Sequence, residues 1–223
     1  MKLNQLSVVI GLTAANVAST AMAPVKAEAA TFQLVSGVTS VFLDLPTLQS
    51  AAGLNLTGAA DTVPPVSSSF LVGFPITPAT DFTFSFDSAN GFAPIGGTIK
   101  HTGSVTFNNA VTVGDFSIGF DPARAAGIAS GFFVRDTIST GAILFDVAAP
   151  KSLSFVEQAL AIEADLRVSP EFASFLGNVN LTGATVGSAS INGAAVPEPT
   201  TVLGMLAAGG FLAASRRRRS TTK

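Results

Sequence analysis

Alternation of apolar and polar side chains with a period of two runs through the middle of this chain and leaves little choice of fold. In Thr98 to Phe107, Ile99, His101, Gly103, Val105 and Phe107 share one face, while Thr98, Lys100, Thr102, Ser104 and Thr106 share the other. Successive side chains of a strand point to opposite faces, so this run predicts one half-buried strand of ten residues. Thr80 to Asp87 sets Phe82, Phe84 and Phe86 against Thr83 and Ser85 in the same way. In Leu160 to Ser169, Leu160, Ile162, Ala164, Leu166 and Val168 alternate with Ala161, Glu163, Asp165, Arg167 and Ser169, a pattern that excludes a helix despite the Ala and Glu content. Further strands are predicted over Thr31 to Leu43, Ser69 to Phe74, Phe116 to Phe120, Phe132 to Asp136 and Ala142 to Ala148. From Val111 the apolar parity flips across Gly114, which predicts a bulge at that glycine.

Many one-sided strands separated by Gly, Asn and Pro predict an all-β domain. Two antiparallel sheets packed as a β-sandwich or jelly-roll-like unit, or a partly closed barrel, satisfy the pattern. The chain has 18 Phe but neither Tyr nor Trp, so its aromatics lack a polar handle and are read as core. Phe82, Phe84, Phe86, Val105, Phe107, Leu160, Ile162 and Leu166 are predicted to be buried. A weak repeat supplies one or two short helices. Pro46 to Gly53 leads into Leu54 to Ala59, and Pro170 to Gly177 leads, after Asn178, into Val179 to Ala184. Each copy reads as a helix started by proline and stopped by glycine, then a short strand, with Ser169 as N-cap of the second. The copies sit near opposite ends of the domain, which allows a pseudo-symmetric placement.

The two ends are unlike the middle. Residues 1–29 have the parts of a secretory signal peptide: a positive start at Lys2, an uncharged apolar run from Leu6 to Ala18, and small-residue cleavage sites. Cleavage after Ala23 would place Pro24 next to the cut, so a cut near Ala29 is expected. At the other end Val196-Pro197-Glu198-Pro199 precedes sixteen uncharged residues, Thr200 to Ser215, and then Arg216, Arg217, Arg218 and Arg219. As a helix the uncharged stretch spans ~24 Å, short of a hydrocarbon core of ~30 Å, so length alone leaves a buried helix and a membrane helix open. Four consecutive arginines cannot enter a core and are held in the cytoplasm, and this favours the membrane. The prolines are expected to resist inclusion in a preceding strand or helix and to make Pro197-Glu198-Pro199 an extended, protease-accessible spacer.

This tail resembles the PEP-CTERM sorting signal of exported bacterial proteins. The resemblance rests on the Pro197-Glu198-Pro199 motif, the Gly/Ala/Leu-rich helix and the terminal arginines; Ser220 to Lys223 extends past the usual end. It implies a domain plan of signal peptide (1–29), β domain (30–195) and sorting signal (196–223). It also implies signal peptidase and an exosortase-type membrane protease as partners, with transient anchoring through the C-terminal helix and then a cell-surface or extracellular location. Such proteins are associated with exopolysaccharide and biofilm matrix.

Little in the middle carries chemistry. Between Ala30 and Pro199 five basic residues face thirteen acidic ones, a balance of −8 that disfavours nucleic acid. Cysteine is absent, which removes disulfides and thiol catalysis. His101, the single histidine, lies on the apolar face and reads as a neutral core residue rather than a general base or metal ligand. Asp87 to Gly91 lacks the ligand pattern of a calcium loop and reads as a turn. Asn55-Leu56-Thr57 and Asn180-Leu181-Thr182 read as strand residues. No catalytic residue, metal site or cofactor is expected, and the leading reading is a non-catalytic surface or matrix protein. A carbohydrate-binding module is the alternative and needs an exposed Phe cluster; a hydrolase comes third and needs His101 beside two carboxylates.

Overall fold

The computed structural model describes residues 30–87 and 91–198. In chain order these form β1 (Ala30–Leu43), helix α1 (Leu45–Ala52), β2 (Leu56–Ala60), β3 (Val72–Ile76), β4 (Thr83–Asp87), β5 (Gly91–Gly96), β6 (Thr98–Lys100) and β7 (Ser104–Phe107). Then come β8 (Val111–Gly114), β9 (Ser117–Phe120), β10 (Ala129–Arg135), β11 (Ile143–Ala148), β12 (Ser152–Val156), β13 (Ala159–Val168), helix α2 (Pro170–Phe175) and β14 (Thr185–Pro197). The fold is all-β and antiparallel, as the alternation requires.

The long strands β1, β14 and β13 form the spine, with β14 between the other two. From β13 the sheet continues through β11, β10 and β9 to β6. On the other side the second half of β1 carries β3. The free edges of β3 and β6 then meet: Ile76 bridges His101, the Thr77 N–H donates to the Lys100 carbonyl, and the Thr102 N–H donates to the Pro75 carbonyl. These bonds close the sheet into a barrel-like ring, so its inward side chains line a lumen. A second sheet, β2-β7-β8, covers one end of the lumen together with α1 and α2. At the other end the wall is extended by the β4–β5 hairpin, paired to the first half of β1, and by β12, paired to the first half of β13.

The predicted strand Thr98 to Phe107 is two strands in two sheets. Its parity holds throughout, since Ile99, His101, Gly103, Val105 and Phe107 are all buried. The backbone nevertheless bends at Gly103 (φ 103°), where a Cβ would lie 2.7 Å from the Asp61 carbonyl oxygen, so only glycine fits. The expected irregularity at Gly114 belongs to the same bend. Lys100 pairs with Ser117 but Ser104 with Gly114, so four steps on one strand oppose three on the other. The extra residue is therefore on the His101 strand, and beside Gly114 it is Asp115 that turns left-handed (φ 43°). The whole hairpin folds from the ring into the cap.

Both proline-led helices form. Asp44 caps α1 through the Thr47 N–H, and Ser169 caps α2 through the Phe172 N–H. Because β1 and β13 flank β14 and run the same way, both helices emerge at the same end of the ring. After α1 the chain makes β2 as expected. After α2 it makes a 3-10 turn, Val179–Leu181, instead of a strand, so Asn180-Leu181-Thr182 is not strand sequence either. Gly183 and Ala184 bond straight back to Val168, leaving no length for an independent strand.

Phe82 and Phe84 are buried, while Phe86 is half-buried at the end of its row and Ile162 is half-buried between the buried Leu160 and Ala164. Asp87 pairs with Gly91, and residues 88–90, where a turn is expected, lie outside the described ones. The segments expected as signal peptide (residues 1–29) and C-terminal helix (residues 200–215), with Arg216 to Arg219, also lie outside them. No helix among the described residues is long and apolar enough to cross a membrane.

Candidate functional site

The sorting tail leaves the domain from its central strand. β14 does not stop at Ala195 but continues through Val196 and Pro197, paired with Gln33 and Phe32 of β1. The Glu198 N–H then donates to the Thr31 carbonyl at 3.0 Å. The spacer expected over Pro197-Glu198-Pro199 is thus corrected at its start: proline at the last strand position needs no ladder donor, so Pro197 ends β14, and the Glu198 N–H still bonds to β1. The entry of the chain at Ala30 and its exit at Glu198 lie side by side, one strand apart. Pro199 and the arginines fall outside the described residues.

His101 is buried at the seam that closes the ring. Its Nδ1–H donates to the Phe116 carbonyl at 2.9 Å, and its Nε2 accepts from the Thr39 hydroxyl at 2.7 Å. Burial lowers its pKa to about 4, against a smaller opposing effect of the Phe116 bond, so the ring is neutral near pH 7. The imidazole ties β6, β9 and β1 together. No group of three or more metal-ligating side chains occurs among the described residues.

Three carboxylates, Asp136, Asp146 and Glu171, have specific structural roles that the sequence reading did not assign. Asp136, fully buried, accepts from the Gly114, Ile138, Ser139 and Thr140 N–H groups and from the Ser139 and Thr140 hydroxyls. Burial raises its pKa, but these bonds prevail and hold it at about 2. The local signal was present: an aspartate followed within four residues by Ser and Thr is an Asx-type turn. Arg124 forms a two-pronged pair with Glu171 and a further bond to Asp146, which joins α2 to the outside of the sheet. Hydrogen bonding to Arg124 lowers the Glu171 pKa to about 2.

The ring encloses a lumen, which the sequence did not disclose. Ile118, Val134, Leu166 and Ala189 divide it in two. The compartment under the cap holds His101, Leu48, Phe107 and Phe172 and has a cavity of only about 60 Å³. The other compartment has a cavity of about 390 Å³. Four phenylalanines from separate segments wall it: Phe132 lies 5.8 Å from Phe82, 6.5 Å from Phe92 and 5.1 Å from Phe120, centroid to centroid. Ala148, Ala164 and Ala189 leave the opposite wall low. Among the described residues Ser130 is the one lining residue with a polar side chain, and its hydroxyl donates to the Val147 carbonyl at 2.8 Å. The exposed Phe cluster that would support sugar stacking does not occur among the described residues. Phe42 and Phe175 are the exposed rings, on separate elements.

No curated protein matches the chain in sequence. Among solved structures, the crystal structure of the C-terminal domain of HtaA from Corynebacterium glutamicum is similar with a TM-score of 0.50 and 10% identity, covering 74% of this chain and 99% of that one. At that identity the likeness is one of fold, and it agrees with the barrel- or sandwich-like antiparallel architecture. Residues 195–219 match the family of the PEP-CTERM protein-sorting motif, from the end of β14 to the last arginine. That motif implies an exported protein carrying a membrane-anchored sorting signal that is processed by an exosortase-type protease. By its C-terminal tail, the chain is a bearer of the PEP-CTERM protein-sorting motif.

Proposed function

We propose that this chain is the precursor of a non-catalytic surface protein, made with a signal peptide over residues 1–29 and released from its C-terminal anchor at the cell exterior. The observation that carries the reading is the sorting-motif match over residues 195–219. Val196, Pro197, Glu198 and Pro199 form the recognition segment, Thr200 to Ser215 the anchor, and Arg216, Arg217, Arg218 and Arg219 the cytoplasmic stop. The pairing of β1 with β14 supports this arrangement, because it brings the chain's entry and exit to one pole of the domain, which then faces the membrane. It also constrains the cut. Cleavage before Val196 would strip two pairs from the β1–β14 ladder, so processing belongs at or beyond Glu198. The mature domain is acidic and associates with exopolysaccharide matrix rather than nucleic acid.

The intact mass and location of the protein from native cells test this directly. The expected mature form starts near Ala30, ends at or beyond Glu198 and lacks the arginines. Deleting Arg216 to Arg219 impairs maturation and leaves the domain folded. A mature surface form that retains Arg216 to Arg219 would instead mean a permanent anchor.

A further inference from the structure

We propose that the larger compartment of the lumen is a binding site for a neutral, hydrocarbon-rich small molecule. Its volume of about 390 Å³ is more than twice the ~150 Å³ of an engineered apolar cavity that takes up benzene, and it falls in the ~300–1,000 Å³ range of ligand pockets. The lining chooses the chemistry. Among the described residues no charged side chain lines it, and the single hydroxyl, on Ser130, is turned to the Val147 carbonyl. Water would find no second anchor there, because a buried water needs two to four polar partners. A carboxylate or ammonium would be desolvated with no counter-charge. An apolar ligand loses nothing on entry and gains contact with the four rings.

The void is also held open. Its walls are hydrogen-bonded strands of the ring, and the rings of Phe82, Phe92, Phe120 and Phe132 brace one another, so the small side chains opposite cannot collapse onto them. Access exists beside β5 and β12: Phe92, Pro94 and Leu153 are half-buried and Pro150 is exposed, although all four line the compartment. The other end is sealed by the cap. The site is therefore a blind apolar pocket with one mouth. This proposal does not depend on the sorting reading, and its test does not touch the tail.

The test is titration of the delipidated protein, recovered from the cell exterior without detergent, with the fluorescent probe N-phenyl-1-naphthylamine, followed by competition. Saturable binding of one probe per chain is expected, displaced by dodecane and by dodecanol but at least about tenfold less well by dodecanoate. The probe should raise the thermal midpoint, since it binds the folded state alone. Ala164→Phe projects a ring into the compartment from β13 and should weaken probe binding at least about tenfold with a retained cooperative thermal transition. Should that variant fail to fold, Ala189→Leu and the midpoint shift of the unmodified protein serve in its place. Absence of saturable binding to the delipidated protein overturns the proposal. So does binding unchanged in a folded filling variant, which would place the probe elsewhere. Equal displacement by dodecanoate overturns the neutral-ligand assignment.

Discussion

The two compartments of one lumen are built from the same strands yet are packed to different ends. Under the cap, Leu48 of α1, Phe107 of β7 and Phe172 of α2 push inward from three separate elements and leave only about 60 Å³ unfilled. Beyond the partition no element among the described residues plugs the ring. One alanine on each of β11, β13 and β14 (Ala148, Ala164 and Ala189) lines the wall beside larger neighbours, and about 390 Å³ remains. The closed end therefore carries the stability of a packed core, and the open end is where the chain can hold something. The position of His101 fits this division, because the seam it closes lies at the packed end.

If the division is right, the largest effect should come from the closed end. Phe74 is buried against Phe116 with ring centroids 4.9 Å apart, in edge-to-face contact. Phe74→Ala should cost about 3–5 kcal/mol, read as a lower urea midpoint, because close packing leaves the neighbours no way to refill the space. A loss below about 1 kcal/mol would mean that this end is as loosely filled as the other.

The next effect is acid sensitivity at the seam. The His101 ring titrates near 4 in the folded protein against an ordinary 6.5, so between those values the unfolded chain binds more protons. Stability is complete above pH 6.5 and declines as pH falls toward 4, by about 3 kcal/mol in all. Asp136 and Glu171, both held near 2, surrender their contributions only below the ordinary carboxylate range, mostly outside this window. Urea unfolding at pH 7 and pH 5 should therefore reveal the histidine almost alone. In the paired variant His101→Leu, Thr39→Val, which removes both side-chain partners and leaves the Phe116 carbonyl its bond from the residue-101 N–H, the acid loss over that interval should shrink markedly. An unchanged loss would put the pH dependence on another group.

The smallest effect should come from the open end, and there the sign matters more than the size. Enlarging a buried side chain in a packed core costs about 1–3 kcal/mol. Ala164→Leu, directed into the open compartment, should change stability by less than about 1 kcal/mol in either direction. A thermal midpoint depressed as in ordinary overpacking would show that the compartment is not available space.

Much of this architecture was legible from alternation. The inward face of residues 98–107 was assigned correctly at every position, because parity is a local property of extended backbone. The irregularity near Gly114 was also visible, although its extra residue belongs to the opposite strand. The proline-led helices and their caps were written in short-range chemistry. β14 was not foreseen at all. Its Gly, Ser, Ala and Asn residues give no apolar alternation, yet it is the central strand of the spine, where small side chains let β1 and β13 close on it from both edges.

By itself the sequence determined the strand faces, the helix caps and the sorting tail, since each depends on residues within a few positions of one another. The tertiary structure alone decided that one predicted strand would serve two sheets, that His101 would close a seam, and that β14 would continue into the sorting motif. It also decided the volume of the lumen. A void is set by the curvature of the ring and by what faces each side chain across it, and neither quantity is encoded in any single stretch of chain.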